Sequence, residues 1–251
     1  MEYYHSEICP IEIVKTEKLN ITFQRHNHVE HYVISIVEAG HVEVRYDKGD
    51  TRTYAPGEVF CVKPLQTHAV RMERDAVMVS VCIGRQLFAE YAYDMLAHMV
   101  WEMTARAGIP TLSQTGWIKI LRNLEGSAGE QDTGTEPAFE KIMKLLAVFP
   151  ERELSLEQMA EELHMSKYHF LRKFRERAGL PPHRFCLQCR IRKAQKRLRA
   201  KHSIIELALE MGFYDQSHFD HCFKSIVGIS PKAYIAAKKI ISGTGADGAG
   251  R

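Results

Sequence analysis

Phe170, Phe174, Gly179, Pro182 and Phe185 return 49 positions later as Phe219, Phe223, Gly228, Pro231 and Tyr234. Ala160 returns as Ala208, an offset of 48, so the second copy carries one more residue in its turn. The segment from Ser155 to Tyr234 is therefore one supersecondary unit written twice, and a repeat at this period decides the architecture around it. Each copy reads as helix–turn–helix. Two of them on a basic background are what a protein needs to read DNA at two neighbouring places.

The charge supports that reading. Residues 151–240 carry 18 Lys+Arg against 10 Asp+Glu, a balance of +8, whereas the rest of the 251-residue chain sums to −5. Charge of one sign gathered in one segment is an electrostatic footprint for a polyanion; the alternative is a solvated helical face. Apolar residues make up 45% and charged residues 26%, ordinary for a globular protein of one or two domains. No apolar run approaches a membrane span, and MEYYHSEICP lacks a basic segment followed by an apolar one. The expectation is a cytoplasmic chain without membrane contact, its six scattered cysteines reduced.

The fold class expected is α+β and multidomain: an N-terminal antiparallel β-barrel plus helices, then an all-α tandem helix–turn–helix domain. Residues 20–83 hold short β-rich runs punctuated by Gly40, Gly49 and Pro56-Gly57. The period changes after Gly84, where Phe88, Tyr91, Met95, Met99 and Met103 step by three or four. This helix, Gln86–Ala105, either packs on the barrel or forms a dimerisation face; a second covers Gly116–Leu124. The domains expected are 1–84 (sensor barrel), 85–125 (helical connector), 126–136 (Gly-, Ser- and acid-rich linker), 137–241 (tandem helix–turn–helix) and 242–251 (disordered tail).

In the first copy Ser155 caps LEQMAEEL, with Gln158 placed for a capping box, and His164-Met165 makes the turn. Ser166 caps KYHFLRKFRERA, the candidate recognition helix. Phe170 and Phe174 face the core with Met159 and Leu163; Lys167, Tyr168, Leu171, Arg172 and Arg175 fall on the other side. Arg172 can pair with a guanine edge, while Lys173 and Arg177 suit phosphates. In the second copy Ser203 caps IIELALEM, Gly212 supplies a positive-φ turn, and Asp215 caps QSHFDHCFKSIV. Phe219 and Phe223 are the buried face, leaving Gln216, Ser217, Asp220, His221 and Lys224 toward solvent. Between the copies, Arg184 to Ala200 carries RIRKAQKRLR on a helix of about 25 Å, which can set two readers near one turn of DNA. Ile191, Ala194 and Leu198 form its packing stripe, and Arg197 is assigned to phosphate.

The stretch RIRKAQKRL…IIELALEMGFYDQSHFDHCFKSIVGISP, with its Ala-x-x-x-Gly-Phe turn, Phe-x-x-x-Phe-Lys helix and closing Gly-x-x-Pro, resembles the AraC/XylS family of transcription regulators. The resemblance covers about 100 residues. It implies base contacts by Tyr168, Leu171 and Arg172, then Gln216, Ser217 and His221. Leu171 and His221 stand where polar or basic readers often occur in the family, and His164 replaces a frequent turn glycine. The resemblance also implies a homodimer bound to double-stranded DNA, a small-molecule effector, and RNA polymerase as a candidate further partner.

Residues 20–83 look like the cupin-type sensor of the same family, matched at His26-Asn27-His28, Gly40, Pro56-Gly57-Glu58 and Pro64 to His68. His26 and His28 share one strand face by alternation; by the resemblance His68 approaches the same pocket. Three imidazoles can hold a divalent metal or hydrogen-bond an organic ligand, and both remain open beside a structural remnant. The usual cupin glutamate falls at Val33; Glu30 or His31 could substitute. Tyr46 and Tyr54 are candidate wall residues or core. Cys186-x-x-Cys189 lacks a second pair for a metal site, and Cys222 is a small buried residue by default. The function expected is a ligand-responsive, sequence-specific DNA-binding regulator, not an enzyme. The alternatives are a metal-sensing regulator, a cupin-type metalloenzyme and a non-specific DNA binder.

Overall fold

A computed structural model describes residues 1–6, 10–46, 49–109, 112–126, 137–151, 155–198 and 203–241. The predicted linker beyond Gly126, residues 199–202 after the bridging helix, and the tail fall outside the described residues.

The N-terminal part is built from strands β1 (Glu2–Ser6), β2 (Ile11–Glu17), β3 (Ile21–His26), β4 (His31–Ala39), β5 (Val42–Tyr46), β6 (Thr51–Tyr54), β7 (Val59–Val62), β8 (His68–Met72) and β9 (Val77–Gly84). Helices α1 (Gln86–Glu90), α2 (Tyr93–Arg106) and α3 (Gln114–Gly126) follow. The C-terminal part comprises α4 (Pro137–Val148), α5 (Leu156–Glu162), α6 (Lys167–Ala178), α7 (Pro182–Arg197), α8 (Ile204–Glu210), α9 (Gln216–Val227) and α10 (Pro231–Ala237). A last strand, β10 (Lys238–Ile241), returns to the N-terminal part.

The strands form a six-stranded sheet in the order β10-β1-β2-β9-β4-β7 and a four-stranded sheet in the order β3-β8-β5-β6. Among the described residues no ladder joins the two, so the expected barrel is an open pair of facing sheets. The central strand β4 reads VISIV because both its faces are covered. Ile34 and Ile36 point with Val79, Val81 and Ile83 into a core shared with Leu96, Val100, Trp117 and Leu121 of α2 and α3. Val33 and Val37 point the other way, to Val44, Phe60, Val62, Val70 and Met78 between the sheets. The predicted helix over Gln86–Ala105 is broken at Tyr91-Ala92 into α1 and α2, and it packs on the sheet. Tyr91, Met95 and Trp101 remain exposed.

The repeat is realised residue by residue. The α5 and α8 helices have 7 residues each, and α6 and α9 have 12 each. Side chains of Ser155, Ser166, Ser203 and Asp215 each accept the backbone N–H three residues on, satisfying donors that a helix start leaves open. His164 holds the first turn at φ 52°, where the second copy has Gly212 at φ 73°. Phe139, Phe170, Phe174 and Phe185 fill the first core; Phe213, Phe219, Phe223 and Tyr234 fill the second.

The two parts are joined more closely than a linker requires. Tyr3 of β1 lies in the core of the second helix–turn–helix unit, edge-on to Tyr234 at 4.8 Å, and its hydroxyl donates to the Val227 carbonyl at 2.9 Å. Gly228 turns at φ 96°, and a Cβ there would sit 2.8 Å from Ile21 Cδ1, so close packing on β3 also excludes a side chain. Strand β10 pairs in parallel with β1; the sequence reading had continued helix through these residues. Tyr3→Phe keeps the ring and loses one buried hydrogen bond, so urea unfolding is expected to show a loss of about 1 kcal/mol.

Candidate nucleic-acid interface and interdomain cavity

The first recognition helix, α6, presents Tyr168 at 85% exposure, with Arg172 and Arg175 also exposed and Leu171 half-buried. The Arg172 Nε lies 3.9 Å from the Glu176 carboxylate one turn on, with both side chains largely solvated, a weak pairing that a guanine edge can displace. Lys167 Nζ is 2.5 Å from Glu157 Oε1. The Ser166 hydroxyl is engaged as the cap of α6. Lys173 is half-buried, and the Arg177 guanidinium lies over the Phe139 ring at 5.5 Å. Arg177 is thus turned toward the core and not to a phosphate.

On α9, Ser217, His221 and Lys224 are exposed and Gln216 is half-buried. Asp220, read as solvent-facing, is half-buried with one carboxylate oxygen inaccessible to water. Arg197, assigned to phosphate, is exposed and has its Nη2 2.5 Å from Glu210 Oε2, which ties the end of α7 to α8. Tyr214, 88% exposed immediately before the α9 cap, was missed.

A cavity of about 350 Å³ lies between the two parts. Its sheet wall includes His26, His28, His31 and His68 above an apolar floor of Val33, Phe60, Val62, Val70 and Met78. Its other wall is α7, with Val148 of α4 and Val227 of α9 at the margin. The histidines meet because β3 carries a bulge: Phe23 pairs with Val70 and His26 with His68, so three steps on one strand match two on the other. The His26 and His68 rings are 4.3 Å apart, and His28 lies 5.1 and 5.3 Å from them. Burial is the main cause that pushes His68 and His31 down to about 4 and His26 and His28 well below the usual imidazole range. The Arg192 guanidinium acts in the same direction on all four.

Tyr46 and Tyr54 do not belong to this site. Their hydroxyls bond each other at 2.8 Å, Tyr54 packs on Phe60, and neither lines the cavity. The sequence reading missed the α7 wall. Gln188, Arg192 and Gln195 recur at i, i+4 and i+7, one helical face, and the two glutamines are each 3% exposed although polar. Gln188 is bound to the sensor: its Nε2 donates to Asn27 Oδ1 at 2.8 Å, and its Oε1 accepts the Asn27 backbone N–H at 3.1 Å. Asn27 Nδ2 in turn donates to the Ala178 carbonyl at the end of α6.

The three imidazoles offer nitrogens within 4.8 Å of one another. Ligand atoms around a tetrahedral ion with bonds of about 2.0–2.1 Å stand only about 3.4 Å apart. Val33 belongs to the apolar floor of the cavity, and α7 adds the Arg192 cation. The three imidazoles are nonetheless close enough to converge on a metal ion by side-chain rotation. Cys186 and Cys189 lie on α7 as free thiols, half-buried and buried, and burial pushes Cys189 up to about 12.

Comparison with known proteins fits this architecture. A helix-turn-helix domain family model matches residues 159–237. An uncharacterised HTH-type transcriptional regulator of Haemophilus influenzae and the HTH-type transcriptional regulator MtrA of Neisseria gonorrhoeae are each 34% identical over 86 residues, 34% of this chain. The chain spans 29% of the length of those two relatives. The uncharacterised regulator YbfI of Bacillus subtilis is 26% identical over 244 residues, covering 83% of this chain and 85% of its own. Among solved structures, ToxT from Vibrio cholerae shares the fold, with TM-score 0.61 at 14% identity over 90% of this chain and 96% of its own. The family match spans the doubled unit, so residues 159–237 form a helix-turn-helix domain similar to those of the transcriptional regulators named above.

Proposed function

We propose that the chain is a ligand-responsive, sequence-specific DNA-binding regulator of transcription, with double-stranded DNA and a small organic anion as its partners. The carrying observation is that one helix does two jobs. Helix α7 separates the two helix–turn–helix units, packing Phe185 and Cys189 into the first core and Ile191, Ala194 and Leu198 into the second. The same helix closes the cavity with Gln188, Arg192 and Gln195. An effector held there touches the spacer that sets where the two recognition helices stand. It shifts the equilibrium between arrangements to the extent that it binds them unequally.

On the cavity's helical wall Arg192 and Lys196 favour a negatively charged effector, Lys193 being paired with Glu151. A ToxT structure of the same fold has an unsaturated fatty acid bound, which supports a small-ligand role for this architecture. Homodimerisation through the exposed Tyr91, Met95 and Trp101 face, contact with RNA polymerase, and a cytoplasmic location belong to the same proposal. Among the described residues no helix is long and apolar enough to cross a membrane. The reading treats the chain as a regulator without catalysis of its own.

The test is Arg172→Ala in a DNA titration against an operator selected from random duplexes. The expected loss is about 1–3 kcal/mol, with relaxed preference at one base pair and an unchanged melting point. Equal affinity of the unmodified chain for selected and random duplexes would reject a sequence-specific regulator.

A further inference from the structure

The charged groups of the cavity are sorted by wall. Arg192, Lys193 and Lys196 all come from α7, whereas both lining carboxylates, Glu12 and Glu30, come from the sheet part, together with the histidines. Lys193 is already committed to Glu151, at 2.9 Å. Arg192 spends one N–H on Gln195, at 2.8 Å, and a guanidinium has five.

The sheet wall is sorted more finely by its tautomers. His26 Nδ1 lies 2.7 Å from the Gln24 carbonyl and His68 Nδ1 lies 3.2 Å from the Gln66 carbonyl. A carbonyl oxygen only accepts, so both Nδ1 atoms carry the proton. Burial keeps the rings neutral, so each Nε2 is a bare lone pair. On the cavity wall each lone pair is an acceptor that a ligand's donor can meet. As neutral acceptors these two imidazoles match a donor better than a carboxylate, and the cations of α7 match the anion.

Resting on the reading of this cavity as an effector site, we propose that the effector is a small carboxylate whose far end carries hydrogen-bond donors, a hydroxyl or an ammonium group. The carboxylate meets Arg192. The donors meet His26 and His68 Nε2, with Glu12 and Glu30 adding negative potential on that wall. The carbon chain between them lies over Val33, Phe60, Val62, Val70 and Met78. A plain alkanoate leaves the lone pairs unserved, and a plain polyol leaves Arg192 unserved. The hydroxyl and ammonium versions share this chemistry and differ in charge at the sheet wall.

The experiment uses the full chain and matched probes by calorimetric titration: butyrate and hexanoate, 4-hydroxybutyrate and 6-hydroxyhexanoate, 4-aminobutyrate and 6-aminohexanoate, with hexane-1,6-diol as the uncharged control. At least one hydroxy or amino acid is expected to bind tenfold or more tighter than its alkanoate of equal length, since a site built for a donor rejects the analogue lacking it. Arg192→Met should abolish that binding. His26→Phe, at a half-buried position, should bring the pair to within about twofold of each other, while circular dichroism reports that the variant folds. Preference for the hydroxy series over the amino series, or the reverse, identifies the donor.

Three results overturn the proposal: alkanoates binding as tightly as their donor-bearing partners, no probe binding at all, or zinc binding to the histidines with the carboxylates inert. In each case DNA titration of the same preparation shows separately whether the regulator reading stands. Loss of sequence-selective DNA binding would overturn that reading and the effector assignment with it.

Discussion

Phe174→Ala is expected to destabilise the first helix–turn–helix unit by about 3–5 kcal/mol and to cost more DNA affinity than any single change on the reading surface. The ring is fully buried, 5.7 Å from both Phe139 and Phe170 and 5.4 Å from Phe185. It therefore joins α4, the recognition helix and the spacer α7. Truncation leaves a cavity where three elements meet, and no single helix can move in without losing contact elsewhere. For a domain of this size each kcal/mol is worth about 4–8 °C, so the first melting transition should fall by more than about 10 °C. Phe223→Ala should act likewise on the second unit, where the ring touches Phe219 and Tyr234. The contrast with Arg172→Ala is the control, since that side chain is 73% exposed and makes no core contact. A Phe174→Ala protein that melts like the parent and still binds DNA would mean that α6 is not held by this core.

How much of this was legible in the sequence follows from what kind of signal each part leaves. The repeat could be read because both copies solve the same local problem with the same residues: a serine or aspartate cap, a positive-φ turn, and two phenylalanines four apart. Even His164 in the left-handed region was readable, because its counterpart is Gly212. Helices α2 and α3 announced themselves by period. The β1 strand and the parallel β1–β10 pairing were not legible, because their partners lie at opposite ends of the chain and no local pattern encodes them. The same holds for Tyr3, whose ring belongs to the core of a unit more than 200 residues away.

At the site, the alternation of His26 and His28 was visible, and the resemblance supplied His68. The bulge that sets His26 opposite His68 was not visible. Tyr46 was misplaced for the opposite reason. It is the cross-strand partner of His68, so strand geometry alone favours it, but its hydroxyl is engaged by Tyr54. The α7 wall left a trace that was passed over. A helix reading Gln188, Arg192, Gln195 on one face looks solvated until the other part of the chain is laid against it. Arg177 shows the converse error, a basic residue near a reading surface assigned to phosphate although an aromatic ring is nearer.

The buried histidines make the junction between the two parts sensitive to acid, and the sign follows from their direction of shift. In the unfolded chain an imidazole takes up a proton as pH falls through about 6.5. In the folded chain His68 resists until about 4, because burial and the Arg192 guanidinium oppose the charge. Between those values the unfolded state binds more protons, so stability is complete above about pH 6.5 and is lost as pH falls toward 4. From pH 7 to 5, where carboxylates are still largely ionised, His68 alone should remove about 2 kcal/mol. His26, His28 and His31 shift the same way and add to the loss. Lys196 reinforces the shift of His31 from α7, and Glu12 and Glu30 are the carboxylates that share the cavity with these rings. Protonation would also set cations of the sensor against Arg192, so DNA affinity and effector affinity should change together over this window. The measurement is urea unfolding at pH 7 and pH 5 for the parent and for His68→Gln, which removes one titrating group. The parent should lose stability steeply and the variant less so. A parent curve flat over this range would show that the imidazoles are solvated, and the closed junction between sensor and spacer helix would have to be abandoned.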